Sequence, residues 1–269
     1  RLDDIESISD ANRVYIVLPE VFGLNAWVRS VADRLAAQGL PALAIPLFAR
    51  SAPDLDLSYK ASDLAQGRRH KDATTTSQIL SDLSVAITWL EQRCPQAAID
   101  VVGFCFGGHA ALLAATLPGV RRSFDFYGAG VSTMRPGGGP PSLDLLPQVS
   151  GALNCICGTA DPLIPADHRS AIREGLHAVD PAGERLRYTE MLGYFAATLA
   201  AVGRGGAGMV RTALEAASCF SSFFASGVLR GVKNMIMLRP SRFGCCWISA
   251  FSSRSLAMRR NKVSARAVC

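Results

Sequence analysis

The chain has 269 residues, 49% of them hydrophobic, and a formal net charge of +6, which is enough apolar mass for one large core. No run reaches the roughly 18 uninterrupted apolar residues of a membrane span. The Lys and Arg residues form no stripe interleaved with aromatics, so neither a membrane nor a nucleic acid is an expected partner.

The charge is unevenly held. Residues 1–191 carry 17 Lys+Arg against 21 Asp+Glu, whereas residues 192–269 carry 11 against a single acid, Glu215. The eight cysteines match no zinc-binding spacing, and reduced thiols in a cytoplasmic protein are the expectation. No secretory signal precedes the first strand, and the missing initial methionine points to a fragment or a processed start.

Segment RVYIVLPEVFG (13–23) opens with a β-branched run and ends in a turn, a buried strand. AWVRSVADRLAAQG (26–39) places Val28, Val31, Leu35 and Ala36 at helical spacing and stops at Gly39. LPALAIPLFAR (40–50) reads as the next strand. The polar, Pro- and Gly-broken stretch 51–76 reads as a long excursion. Residues 77–94 form a helix with Ile79, Leu83, Ala86, Ile87 and Leu90 on one face.

A strand, AIDVVGFC, a helix, GGHAALLAATL, and a further strand, RSFDFYGAG, follow. MRPGGGPPS (134–142) is a loop. Residues 151–158 form a strand, 165–179 a helix and 185–191 the start of a last strand. Strands alternating with helices imply an α/β fold with a mostly parallel sheet and helices on both faces. After Met191 the alternation ends. Residues 1–191 therefore read as the folded domain, and 192–269 as an atypical basic tail, either disordered or translated out of frame.

Gly103-Phe104-Cys105-Phe106-Gly107 has the G-x-nucleophile-x-G spacing of a strand-to-helix elbow, with cysteine at its centre. The elbow presents the side chain at the carboxyl end of the sheet, and the N–H of Phe106 stands at a helix N-terminus, where an oxyanion is favoured. The same field lowers a thiol's pKa. A buried structural cysteine is the competing reading. Pro19-Glu20-Val21-Phe22-Gly23 follows the first strand, so the N–H of Val21 is a candidate second oxyanion donor. Taken alone, Glu20 would be a solvated loop acid. In CGTADPLIP (157–165), Asp161 is either the acid that orients a histidine or a helix N-cap.

Together, LPEVFGLN, VRSVADRLAAQGLPALAIPLFAR, VVGFCFGG and GTADPLIP resemble the dienelactone hydrolase family of α/β-hydrolases over roughly residues 12–191. The resemblance implies a hydrolase of small lactones or esters, of the carboxymethylenebutenolidase type, working by a Cys-Asp-His triad; a cofactor-free, metal-free monomer is the expectation. It assigns Cys105 as nucleophile and Asp161 as acid. Glu20 is then the carboxylate that touches the resting thiol and swings away on substrate binding, and the Val21 and Phe106 N–H groups form the oxyanion hole. Arg68 or Arg69 would hold a substrate carboxylate.

The family's histidine belongs in the loop after the last strand. Here the loop reads Tyr188-Thr189-Glu190-Met191-Leu192-Gly193-Tyr194-Phe195, with Leu192 at the histidine position, and no histidine follows His177. His70 reads as a solvated loop residue, His109 as packing beneath the elbow, and His168 and His177 as surface positions. The alternative reading is therefore a hydrolase-fold protein that is impaired or inactive for want of the triad histidine.

Overall fold

The computed structural model describes residues 11–191. Its elements are β1 (Arg13–Leu18), α1 (Ala26–Ala36), β2 (Ala42–Ala44), α2 (Ala61–Asp72), α3 (Thr76–Arg93), β3 (Ala98–Phe104) and α4 (Phe106–Ala114). They continue as β4 (Val120–Phe126), β5 (Ala152–Gly158), α5 (Ala166–Val179) and β6 (Leu186–Met191), with a 3-10 segment at Ser142–Gln148. The six strands form one sheet in the order β2-β1-β3-β4-β5-β6, and every pairing is parallel.

Strand alternation divides the apolar side chains between two layers. Val14, Ile16 and Leu18 of β1 share a buried cluster with Ile79 and Leu83 of α3 and with Ala110 and Leu113 of α4. On the opposite face, Trp27 of α1 meets Phe104 of β3 edge-on, with ring centroids 4.8 Å apart. Two helices, α1 and α3, begin at side-chain caps. Asn25 accepts the Val28 N–H at 3.1 Å, and Thr75 with Gln78 forms a reciprocal capping box at the start of α3.

Three elements differ from the sequence expectation. The strand expected at 40–50 is only three residues long, because Pro46 lacks a ladder donor and the chain turns at 47–51. The excursion at 51–76 contains a full helix, α2, whose only buried residue is Gly67. A helix that buries a single glycine has no apolar stripe to reveal it. A Cβ at position 67 would lie 2.2 Å from the Val21 carbonyl oxygen, so glycine is what lets α2 rest on the loop after β1. Third, the residues after the Pro/Gly loop form the 3-10 segment. Among the described residues no helix is long and apolar enough to cross a membrane. The expected basic tail, 192–269, lies outside the described residues.

Candidate active site

Cys105 connects β3 directly to α4 with φ 55° and ψ −117°. This region is sparsely populated for a residue with a side chain and costs about 1–3 kcal/mol. Neighbouring bonds hold it there: the Cys105 N–H donates to the Phe126 carbonyl at 3.0 Å, and the His109 N–H to the Cys105 carbonyl at 3.1 Å. The bracketing glycines are required by contact. A Cβ at Gly103 would fall 1.8 Å from the Gly107 carbonyl oxygen, and one at Gly107 would fall 2.4 Å from the Leu18 carbonyl oxygen.

The sulfur lines a cavity of about 380 Å³ and accepts the Phe106 N–H. Burial, followed by the charge of Glu20, pushes the thiol up to about 12, against the opposing pull of the Phe106 N–H. The helix-terminus field expected to lower the thiol's pKa is therefore outweighed.

Glu20 is not a solvated loop acid; it is 1% exposed. Its carboxylate accepts the Tyr59 hydroxyl at 2.8 Å and the Tyr127 hydroxyl at 3.4 Å. Burial raises it to about 7, with both tyrosine bonds pulling the other way. The turn that carries it is closed by the Gly23 N–H donating to the Glu20 carbonyl at 3.2 Å. Val21, next in the chain, lines the cavity, and its N–H has no acceptor among the described residues.

Asp161 lies just beyond β5, 3% exposed, and accepts the Leu163 N–H at 2.9 Å. It caps a turn rather than a helix, since the N-cap of α5 is Pro165. Burial raises its pKa, opposed by the Leu163 N–H and the Arg169 charge. Asp161 also raises the Cys105 thiol electrostatically, so acid and sulfur sense one another.

None of the four histidines hydrogen-bonds Cys105 or Asp161. His70 is in α2, with Nδ1 3.0 Å from the Ser51 hydroxyl. His109, 1% exposed, directs Nδ1 to the Ala129 carbonyl at 3.0 Å and Nε2 to the Ser142 hydroxyl at 2.7 Å. A carbonyl only accepts, so Nδ1 carries the proton and Nε2 receives the serine hydroxyl. Burial lowers His109 to about 4, which keeps the ring neutral. His109 thus ties α4 to the 3-10 segment, close to its expected packing role, although it also lines the cavity. His168 lies 4.0 Å from Asp167, and His177 is exposed. Position 192, where the triad histidine was expected, is outside the described residues.

The cavity has a cationic wall and an apolar one. Arg68 and Lys71, one turn apart on α2, supply the first, whereas Arg69 does not line it. Among the described residues Arg68 has no ion-pair partner, and Lys71 pairs with Asp72 at 2.6 Å. Leu64, Met134 and Leu163 contribute to the second. No group of three or more His, Cys, Asp or Glu among the described residues could hold a metal ion.

Sequence reasoning missed Tyr59, Tyr127 and Asp125. Tyr127 adopts φ 44° in a turn that Asp125 closes by accepting the Gly128 N–H at 2.8 Å. This turn also presents the Phe126 carbonyl to the elbow. The sequence contained one signal: Asp125 is an acid in the middle of an otherwise apolar strand end, FDFYG. Tyr59 had none, because it belongs to the excursion that was read as a loop.

A parallel sheet flanked by helices, with a strained glycine-bracketed elbow at its carboxyl edge, defines an α/β-hydrolase fold. Residues 6–219 match the sequence profile of the Dienelactone hydrolase family, further along the chain than the motifs alone reach. A putative carboxymethylenebutenolidase of Synechocystis sp. is 35% identical over 166 residues, covering 61% of this chain and 67% of that protein. A probable 2-oxo-3-(5-oxofuran-2-ylidene)propanoate lactonase of Bradyrhizobium sp. is 33% identical over 55% of this chain and 59% of its own length. The carboxymethylenebutenolidase of Pseudomonas putida is 29% identical over 70% of this chain and 80% of its own. The crystal structure of a putative dienelactone hydrolase from Klebsiella pneumoniae shares the fold, with a TM-score of 0.63 at 20% identity over 80% of this chain and 86% of that one. This chain belongs to the dienelactone hydrolase family, and it is a hydrolase of that type.

Proposed function

We propose that the protein hydrolyses small lactones or esters by acyl transfer through Cys105, with Asp161 and Glu20 as its acidic partners and the Val21 and Phe106 N–H groups as oxyanion donors. The observation that carries this reading is the strained Cys105 backbone at a helix N-terminus, with its sulfur on a cavity and under the Phe106 N–H. The Cys105 thiol gives up its proton as its sulfur attacks the carbonyl carbon, a C–S bond forms, and the ester C–O bond breaks as the leaving oxygen takes up that proton. Water then cleaves the thioester, releasing the acid and restoring the thiol. Glu20 acts as a gate: its negative charge opposes the thiolate until substrate displaces or neutralises it. Arg68 and Lys71 favour a substrate that carries an anionic group.

A second reading is supported by the four histidines, none of which hydrogen-bonds Cys105 or Asp161, and by leucine at position 192. Loss of general acid–base help costs typically about 10²–10⁴ in rate. The acyl-enzyme then forms slowly and deacylates more slowly still. Mass spectrometry of the intact chain after incubation with p-nitrophenyl acetate tests both readings. An added acetyl group on Cys105, absent in Cys105→Ala, supports the acyl-transfer reading, and its decay rate separates turnover from arrest. Acetylation that persists in Cys105→Ala sinks the assignment.

A further inference from the structure

Among the described residues only three large hydrophobic side chains are exposed: Val85 on the outer face of α3, Met134 at 37% and Leu163 at 42%. Two of the three line the same cavity as Cys105. Scattered exposed apolar residues are ordinary, but two that converge on a concave site lose less by exposure once a ligand covers them.

Both are firmly placed. The Met134 N–H donates to the Gly130 carbonyl at 2.8 Å, and its own carbonyl accepts the Ser142 N–H at 3.1 Å. Ser142 is held in turn by His109 of α4 at 2.7 Å. Further along the same loop, the Pro136 carbonyl accepts the Thr76 N–H at 2.8 Å and the Thr76 hydroxyl at 2.9 Å. Leu163 is fixed by its N–H donating to Asp161 at 2.9 Å. The loop is thus anchored to the nucleophile helix and to α3, and it presents Met134 as a shelf.

We infer that Met134 and Leu163 form a subsite for an apolar arm of the substrate, so that the preferred ligands are amphipathic carboxylic acid derivatives: an anionic group toward Arg68 and Lys71, and an alkyl or aryl arm over Met134 and Leu163. The cavity volume, about 380 Å³, falls within the about 300–1,000 Å³ of pockets that enclose drug-sized ligands. It leaves room beyond a single five-membered ring. This inference rests on the proposed acyl-transfer reading of the cavity.

The test is protection of Cys105 from iodoacetamide by straight-chain carboxylates from acetate to octanoate, followed by peptide mass spectrometry, alongside hydrolysis of p-nitrophenyl esters of the same chain lengths. The concentration giving half-protection should fall about two- to fourfold per added methylene, the ratio that burial of each methylene supplies. In Met134→Ser/Leu163→Ser the ratio should drop below about 1.5-fold. In Leu163→Ser alone it should be intermediate. Arg68→Gln should weaken all the acids by a similar factor and leave the slope intact. A flat series in the unsubstituted protein, or an unchanged slope in the double variant, overturns the inference. A steep slope without ester turnover keeps the subsite and removes the acyl-transfer reading through Cys105. Turnover with a flat slope does the reverse.

Discussion

The two sides of the cavity are built differently. On the nucleophile's side, Cys105 is fixed by backbone: two glycines that admit no Cβ, a bond to the Phe126 carbonyl, and the Glu20 carboxylate held by two tyrosines. On the acid's side, Asp161 rests on one turn bond to Leu163 and meets no imidazole among the described residues. The first side is assembled from β3, α4, the loops after β1 and β4, and Tyr59 ahead of α2. The second, in the proposed reading, would be completed by an imidazole, and none of the four histidines hydrogen-bonds Asp161. Local backbone geometry thus fixes Cys105 from several directions, whereas Asp161 is held by a single turn bond.

This contrast can be broken most forcefully at the elbow. Gly103→Ala puts a Cβ within 1.8 Å of a backbone oxygen, which no rotamer change relieves. It should cost about 3 kcal/mol or more, seen as a large fall in thermal midpoint or loss of soluble protein. An unchanged midpoint would show that the turn is looser than its contacts imply.

Glu20→Gln keeps the shape and removes the charge. Because the charge of Glu20 raises the thiol, iodoacetamide labelling of Cys105 at pH 8 should accelerate about tenfold. The same change alters stability. A carboxyl raised from 4.5 to about 7 in the folded state holds extra protons between those pH values, so stability falls as pH rises through that window. Glu20→Gln should gain about 2–3 kcal/mol at pH 8 and nothing at pH 4. Denaturant titrations at the two pH values check the sign, and a gain that is larger at pH 4 would overturn it.

The smallest effect is expected on the acid's side. Without an imidazole to orient, Asp161→Asn should change acylation of Cys105 by less than about threefold, far below the 10²–10⁴ that general acid–base help supplies. Leu192→His sharpens the comparison. If residues 188–195 form the family's histidine loop, ester turnover rises, and the gain disappears in the Asp161→Asn background. A gain that survives Asp161→Asn separates the new histidine from this acid.

Much of this architecture is legible in the sequence. The alternating strands and helices, the elbow at Cys105 and the order of Cys105 and Asp161 follow from spacing and glycine placement, which are local properties. The helix α2 was illegible because its contact with the body is a glycine against the Val21 carbonyl, and periodicity measures apolar side chains, not backbone contact. Tyr59 was hidden along with it.

What the sequence determined by itself is the fold class, the family and the glycine-bracketed turn at Cys105, because each is encoded by residues close together in the chain. Tertiary structure alone decided the electrostatics. Glu20, Tyr59, Tyr127 and Cys105 come from four separate segments, and only their convergence in a buried pocket raises the carboxyl to about 7 and the thiol to about 12. Such shifts come from desolvation and charge at short range in space, and distance along the chain carries no record of either.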